Sequence, residues 1–151
     1  MTRRSRQFPV QKPGGQLRLH RARILACLDR DADYPNPADS PMGRVFMNRQ
    51  TGEFIEVAQG ASEPSSSWLA IPIPSHGQRH KWFRVFLGTI GREDEYFGSI
   101  GRWLKEHASG VRAELWSNFR SERVVAYAIA ACRHAGIDAE AVTASRASDG
   151  L

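Results

Sequence analysis

The sequence predicts an α+β fold, with a small antiparallel sheet (a hairpin plus one strand) packed against a mainly helical C-terminal half. Three observations lead there. Two β-prone runs, Arg44–Asn48 and Glu53–Val57, flank the turn-forming segment Arg49-Gln50-Thr51-Gly52. Trp68–Pro74 reads as a further strand. From His76 to His134, apolar residues recur at helical spacing. The chain has 151 residues, 41% of them hydrophobic, with four Trp, seven Phe and three Tyr. That suffices for one core.

The segment 1–16 combines arginines with Pro9, Pro13, Gly14 and Gly15 and has little apolar surface, so it predicts a flexible basic arm. In Leu17–Leu28, Leu17, Leu25 and Leu28 share one side while Arg18, Arg21 and Arg23 lie outside, which predicts a short amphipathic helix. Three prolines make Asp31–Gly43 a loop. Gly52 suits the positive-φ position of the hairpin turn. Ala58–Ser67 is a polar loop. Pro72 lacks a ladder donor, so the third strand lies at an edge or ends early.

Trp82, Phe86 and Ile90 are spaced by four, and Gly91 closes their helix. A second helix is expected over Glu93–His107, its acidic first turn suiting the dipole. Gly98 and Gly101 each cost that helix about 1 kcal/mol, which implies close approach of a neighbour. The last helix spans Val111–His134, with Leu115, Phe119, Ala126 and Ala130 as its buried row and Gly136 at its end. One domain is expected over 17–138, followed by a polar tail over 139–151.

Asn48-x-x-Thr51-Gly52-Glu53 joins the two hairpin strands, and the Ile71-Pro72 strand end precedes an aromatic-rich helix. Trp116-x-x-Phe119-Arg120 then leads an Ala-rich helix ending His134-Ala135-Gly136-Ile137. In this order the motifs resemble a bacterial family of unestablished function, number 158 of the UPF series, over roughly 17–138. The resemblance implies the fold and brings no activity with it. The chain departs from the family's pattern at Ala130, Ala131 and Cys132, where members tend to carry bulky apolar residues, and in its basic rather than acidic balance.

Charge is unevenly spread. The first thirty residues hold eight Lys or Arg against Asp29 alone, a net of +7, whereas the rest carries thirteen bases and fifteen acids. A concentrated positive segment attracts polyanions. Arg3, Arg4, Arg6, Arg18, Arg21 and Arg23 are the candidate contacts. Trp68, Trp103, Arg112, Arg120 and Arg123 form a second candidate set, as partner anchors or as part of a helix-turn-helix over Glu93–His134. Otherwise the aromatics are core residues and the arginines a solvated face.

His76 and His80 have metal-ligand spacing but no visible third ligand, so a surface pair is expected rather than a metal site. There is no nucleophile elbow and no Gly-rich phosphate loop; no catalytic residue and no cofactor is assigned. Cys27 and Cys132 sit in Ala-rich contexts as small hydrophobes, implying a reducing compartment. No apolar run approaches the ~20 residues of a membrane span, and no apolar segment of signal-peptide type follows the basic start. The expected protein is therefore a cytoplasmic, non-catalytic binding protein whose partner is a polyanion, most plausibly nucleic acid or a nucleoprotein complex. The alternative is an adaptor or inhibitor, for example from a mobile element, docking on an acidic protein surface. An unrecognised enzyme comes third.

Overall fold

A computed structural model describes residues 16–29, 43–58, 60–96, 99–107 and 110–143. Its elements are β1 (Leu17–His20), α1 (Arg21–Leu28), β2 (Arg44–Asn48), β3 (Phe54–Val57), β4 (Trp68–Ile71), α2 (His76–Thr89), a 3-10 turn (Glu93–Glu95), α3 (Ile100–Glu106), α4 (Val111–His134) and β5 (Ala139–Val142). The arrangement is the expected α+β: a three-stranded antiparallel sheet in the order β3-β2-β4, with a mostly helical C-terminal half. No helix among the described residues is long and apolar enough to cross a membrane.

The hairpin forms because its turn satisfies its own polar groups. Asn48 Oδ1 accepts the N–H groups of Gln50 (2.8 Å) and Thr51 (3.0 Å), and Thr51 Oγ1 accepts that of Glu53 (3.2 Å). Gly52 holds φ +80°. A Cβ there would also lie 2.7 Å from the Arg18 carbonyl oxygen, so the turn needs glycine both for its dihedral and for its closeness to β1. Opposed residues share a face, which puts Val45, Met47, Phe54 and Ile71 together toward the helices. β4 lies at the edge and stops before Pro72, as proline's missing donor requires.

The helical half is held by aromatic contacts. The Phe83 ring meets Trp103 at 5.3 Å and Trp116 at 5.1 Å, both edge-on, and Phe86 meets Trp116 and Phe119 at 5.4 and 5.5 Å. Such edge-on pairs add about 0.5–1.5 kcal/mol each beyond area burial. Cys132 Sγ reaches Met47 Sδ at 3.5 Å and so joins α4 to the sheet. Cys27 and Cys132 are both buried and unbridged, and burial pushes the Cys132 thiol up from its ordinary range. Gly91 and Gly136 end their helices at φ +70° and +82°, with Arg92 N–H on Leu87 O and Ile137 N–H on Cys132 O.

Several expectations are corrected. Leu17–His20 is a strand, not the first turn of a helix, because it pairs in parallel with β5 from Leu17↔Ala139 to His20↔Val142. Its Leu-Arg-Leu-His alternation fits a strand as well as a helix, and the partner decides. β5 in turn occupies the start of the expected polar tail, so ordered structure runs past Asp138 to Val142. Glu93–His107 is not one helix: a 3-10 turn precedes α3, which starts afresh where Ser99 Oγ accepts Arg102 N–H at 3.1 Å. A Cβ at Gly101 would meet nothing within 4 Å among the described residues, so the expected close approach of a neighbouring helix is not seen there.

The buried row of α4 is Trp116, Val124, Val125, Ala128 and Cys132, whereas Leu115, Ala126 and Ala130 face outward. Trp116 meets Phe83 and Phe86 of α2 whereas Cys132 meets Met47 of β2, so the buried side drifts around the helix along its length. All of the expected 1–16 arm except Gln16, together with residues 30–42, Gln59, Phe97, Gly98, Ala108, Ser109 and 144–151, lies outside the described residues.

Replacing Gly52 by Ala should lower unfolding stability by about 2–4 kcal/mol, because strain at φ +80° adds to a backbone clash. Gly60→Ala, at φ +87° in open space, should lose only about 1 kcal/mol. Urea denaturation of both variants measures the difference, and equal losses would contradict the contact with β1.

Candidate polyanion-binding surface

Arg18 lies on β1 with its side chain 75% exposed and its Nε 3.7 Å from Glu140 Oε2, the residue it faces in register on β5. Arg21 Nη2 sits 3.0 Å from Glu122 Oε2 of α4. Arg23 is exposed and donates from Nη2 to the Phe54 carbonyl at 3.2 Å. A recess of about 560 Å³ opens beside it, lined by His20, Arg23, Gly52, Phe54 and Ile55 among others. Arg3, Arg4 and Arg6 lie outside the described residues. The three described arginines are thus unequal: Arg21 is matched at close range, Arg18 loosely, and Arg23 by a neutral carbonyl.

The second candidate set divides more sharply. Trp103 is 1% exposed and belongs to the core, not to a docking surface. Its Nε1 donates to Glu95 Oε1 at 3.0 Å. Arg112 is turned to the same carboxylate, with Nη1 2.9 Å from Oε2 and 3.1 Å from Oε1. Arg120 is also structural: its Nε and Nη2 donate to the two oxygens of Asp29 at 2.8 and 3.1 Å, while Arg79 Nη1 donates to Oδ1 at 3.2 Å. Only Arg123 faces outward, its guanidinium 4.7 Å from the Phe119 ring centroid. Trp68 is half-buried. With Trp116 buried and Arg112 and Arg120 turned inward, the Glu93–His134 segment presents no recognition face of the expected kind.

No protein-family model, curated protein or solved structure matches this chain. The residues themselves must carry the functional reading.

The structure adds Tyr96 and Arg84 to the His76–His80 surface pair of α2. His76, exposed at the first position of the helix, packs against His80 with ring centroids 4.3 Å apart and planes tilted by 44°. His80 Nδ1 lies 3.1 Å from the Tyr96 hydroxyl, and the Arg84 guanidinium lies 5.3 Å from the Tyr96 ring centroid. Burial, and then the neighbouring His76, hold the His80 imidazole below its ordinary range. The only signal in the sequence was spacing, with His76, His80 and Arg84 recurring every four residues. Among the described residues no three His, Cys, Asp or Glu side chains gather as a metal site.

The Glu95 carboxyl is held below the usual carboxylate range, chiefly by the Trp103 N–H and then by Arg112, with burial opposing both. A depressed carboxylate stabilises the fold above its unfolded value, and that contribution disappears as pH falls through the folded value. Acid unfolding should show it. Glu95→Gln should be less stable than the native chain at neutral pH, and the two should converge once the carboxyl is protonated. A gap that persists unchanged at acid pH would contradict the charge contacts.

Proposed function

We propose that this is a non-catalytic, cytoplasmic binding protein that contacts nucleic acid, free or within a nucleoprotein complex, through its basic N-terminal segment. One observation carries the reading: the +7 net charge gathered in the first thirty residues, ahead of a nearly balanced remainder. Phosphates attract such a segment and release counterions on contact, which makes affinity strongly salt-dependent.

The surroundings of Arg18 and Arg23 support it. An exposed ion pair such as Arg18–Glu140 is worth no more than about 1 kcal/mol, so its guanidinium exchanges partners readily. Arg23 donates to a neutral acceptor, the Phe54 carbonyl, in a recess that Glu53 also lines. Arg21, close to Glu122, is the weakest of the three as a contact. The inward ion pairs of Arg79, Arg112 and Arg120 sharpen the reading by removing those side chains from the outward charge.

One observation favours docking on an acidic protein surface instead. Val111 and Leu115, one turn apart on α4, are 70% and 44% exposed. Apolar surface of this kind serves a protein partner better than a phosphate backbone.

Binding of DNA and RNA oligonucleotides, followed by fluorescence anisotropy across a salt series, separates these readings. The native chain should bind at low salt, and neutralising Arg3, Arg4 and Arg6 together should weaken binding and reduce the log–log salt slope by up to about three. Arg18→Gln with Arg23→Gln should weaken it further. Absence of binding at low salt, or an affinity indifferent to these changes, would overturn the nucleic-acid reading.

A further inference from the structure

The α2 helix divides its charges between two sides. Arg79 points inward, 6% exposed, onto Asp29. On the outer side, His76, His80 and Arg84 follow one another turn by turn, and Lys81 stands beside them. Lys81, Arg84 and Tyr96 line a groove of about 450 Å³, together with Val85, Leu87 and Glu93. Neither Lys81 nor Arg84 pairs with a carboxylate among the described residues; Arg84 instead lies over the Tyr96 ring. Tyr96, which lines the groove and meets His80 Nδ1 at 3.1 Å, and Arg84, one turn on from His80, connect the groove to the pair of touching imidazoles.

We propose that this α2 face is a second phosphate-contacting surface for the nucleic acid, and that contact there is coupled to proton uptake by His80. The proposal rests on the nucleic-acid reading above and adds to it a place on the folded body and a dependence on pH. Two imidazoles 4.3 Å apart repel one another when both are charged. The Tyr96 hydroxyl faces His80 at 3.1 Å, and Arg84 follows His80 by one helical turn. Glu93, from the 3-10 turn, is the acidic group lining the groove. Burial, and then the neighbouring His76, hold the unbound His80 imidazole below its ordinary range.

A phosphate seated against Lys81 and Arg84 reverses the balance, since its negative charge offsets the repulsion and favours the imidazolium. Linkage is reciprocal, so a ligand that raises proton affinity binds more tightly as pH falls. Affinity for nucleic acid should rise as the solution passes downward through the histidine range.

The test uses the full chain with a labelled duplex DNA and a labelled single-stranded RNA at fixed ionic strength. Affinity should be about tenfold higher at pH ~5.5 than at pH ~8, the equivalent of displacing one imidazole by about one pKa unit. The paired substitution His76→Gln with His80→Gln should keep the affinity seen at high pH and lose most of the pH dependence, although His20, His107 and His134 remain. Lys81→Gln with Arg84→Gln should weaken binding at both pH values and reduce the salt slope by about two. Arg84→Lys should restore binding, since it keeps the charge and gives up only the guanidinium's place over the Tyr96 ring. Circular-dichroism melting confirms that each variant is folded.

A pH dependence that survives loss of both histidines, or native-like binding by the Lys81/Arg84 variant, would overturn this inference and leave the N-terminal reading standing. Failure of the native chain to bind either oligonucleotide at low salt would overturn both.

Discussion

The Asp29 carboxylate, shared between two guanidinium groups, holds the helices in their places. Asp29 caps the C-terminus of α1, where the helix dipole disfavours a negative charge, and its side chain is only 12% exposed. Such a position is tolerable only with strong compensation. Arg120 of α4 supplies a two-pronged grip on both oxygens, and Arg79 of α2 supplies a third hydrogen bond. One short side chain thereby fixes three helices relative to one another. Removing a partner from such a buried group costs about 3–5 kcal/mol, far more than an exposed pair contributes.

Glu95 repeats the device at the other end of the helical half. It receives Trp103 and Arg112 directly, with His107 and Arg92 at 3.8 and 3.9 Å, so the 3-10 turn, α3 and α4 meet on one carboxylate. Between the two acidic anchors lies the aromatic cluster of Phe83, Phe86, Trp103, Trp116 and Phe119. The Trp116 Nε1 group is buried there with no hydrogen-bond acceptor among the described residues, a loss of about 1–3 kcal/mol that the ring contacts offset. The acidic anchors engage Arg79, Arg112 and Arg120 and so turn those three guanidinium groups away from the outer surface.

The hairpin, the edge strand ending at Pro72 and the Gly-terminated helices α2 and α4 were legible because each depends on a short-range signal: an Asn-to-Gly turn, a missing N–H, a positive-φ cap. What escaped the sequence depends on partners distant in the chain. Leu17–His20 becomes a strand only through β5, about 120 residues away. The buried row of α4 shifts because its neighbours change along its length. Trp103 and Arg112 look like surface anchors until Glu95 is placed beside them. Asp29 did offer a local sign, an acid where a helix end prefers a base, but nothing nearby named Arg79 or Arg120 as its partners. The α2 cations were visible as spacing, and only Tyr96 folded against them makes a groove.

The most direct measurement is a double-mutant cycle between Asp29 and Arg120, read from unfolding free energies of the native chain, Asp29→Asn, Arg120→Gln and the double variant. Residues in a shared buried ion network couple by about 0.5–3 kcal/mol, and the upper half of that range is expected because the fork is bidentate and both side chains are largely buried. Additive effects, within about 0.3 kcal/mol, would mean that the helices hold their places without this contact.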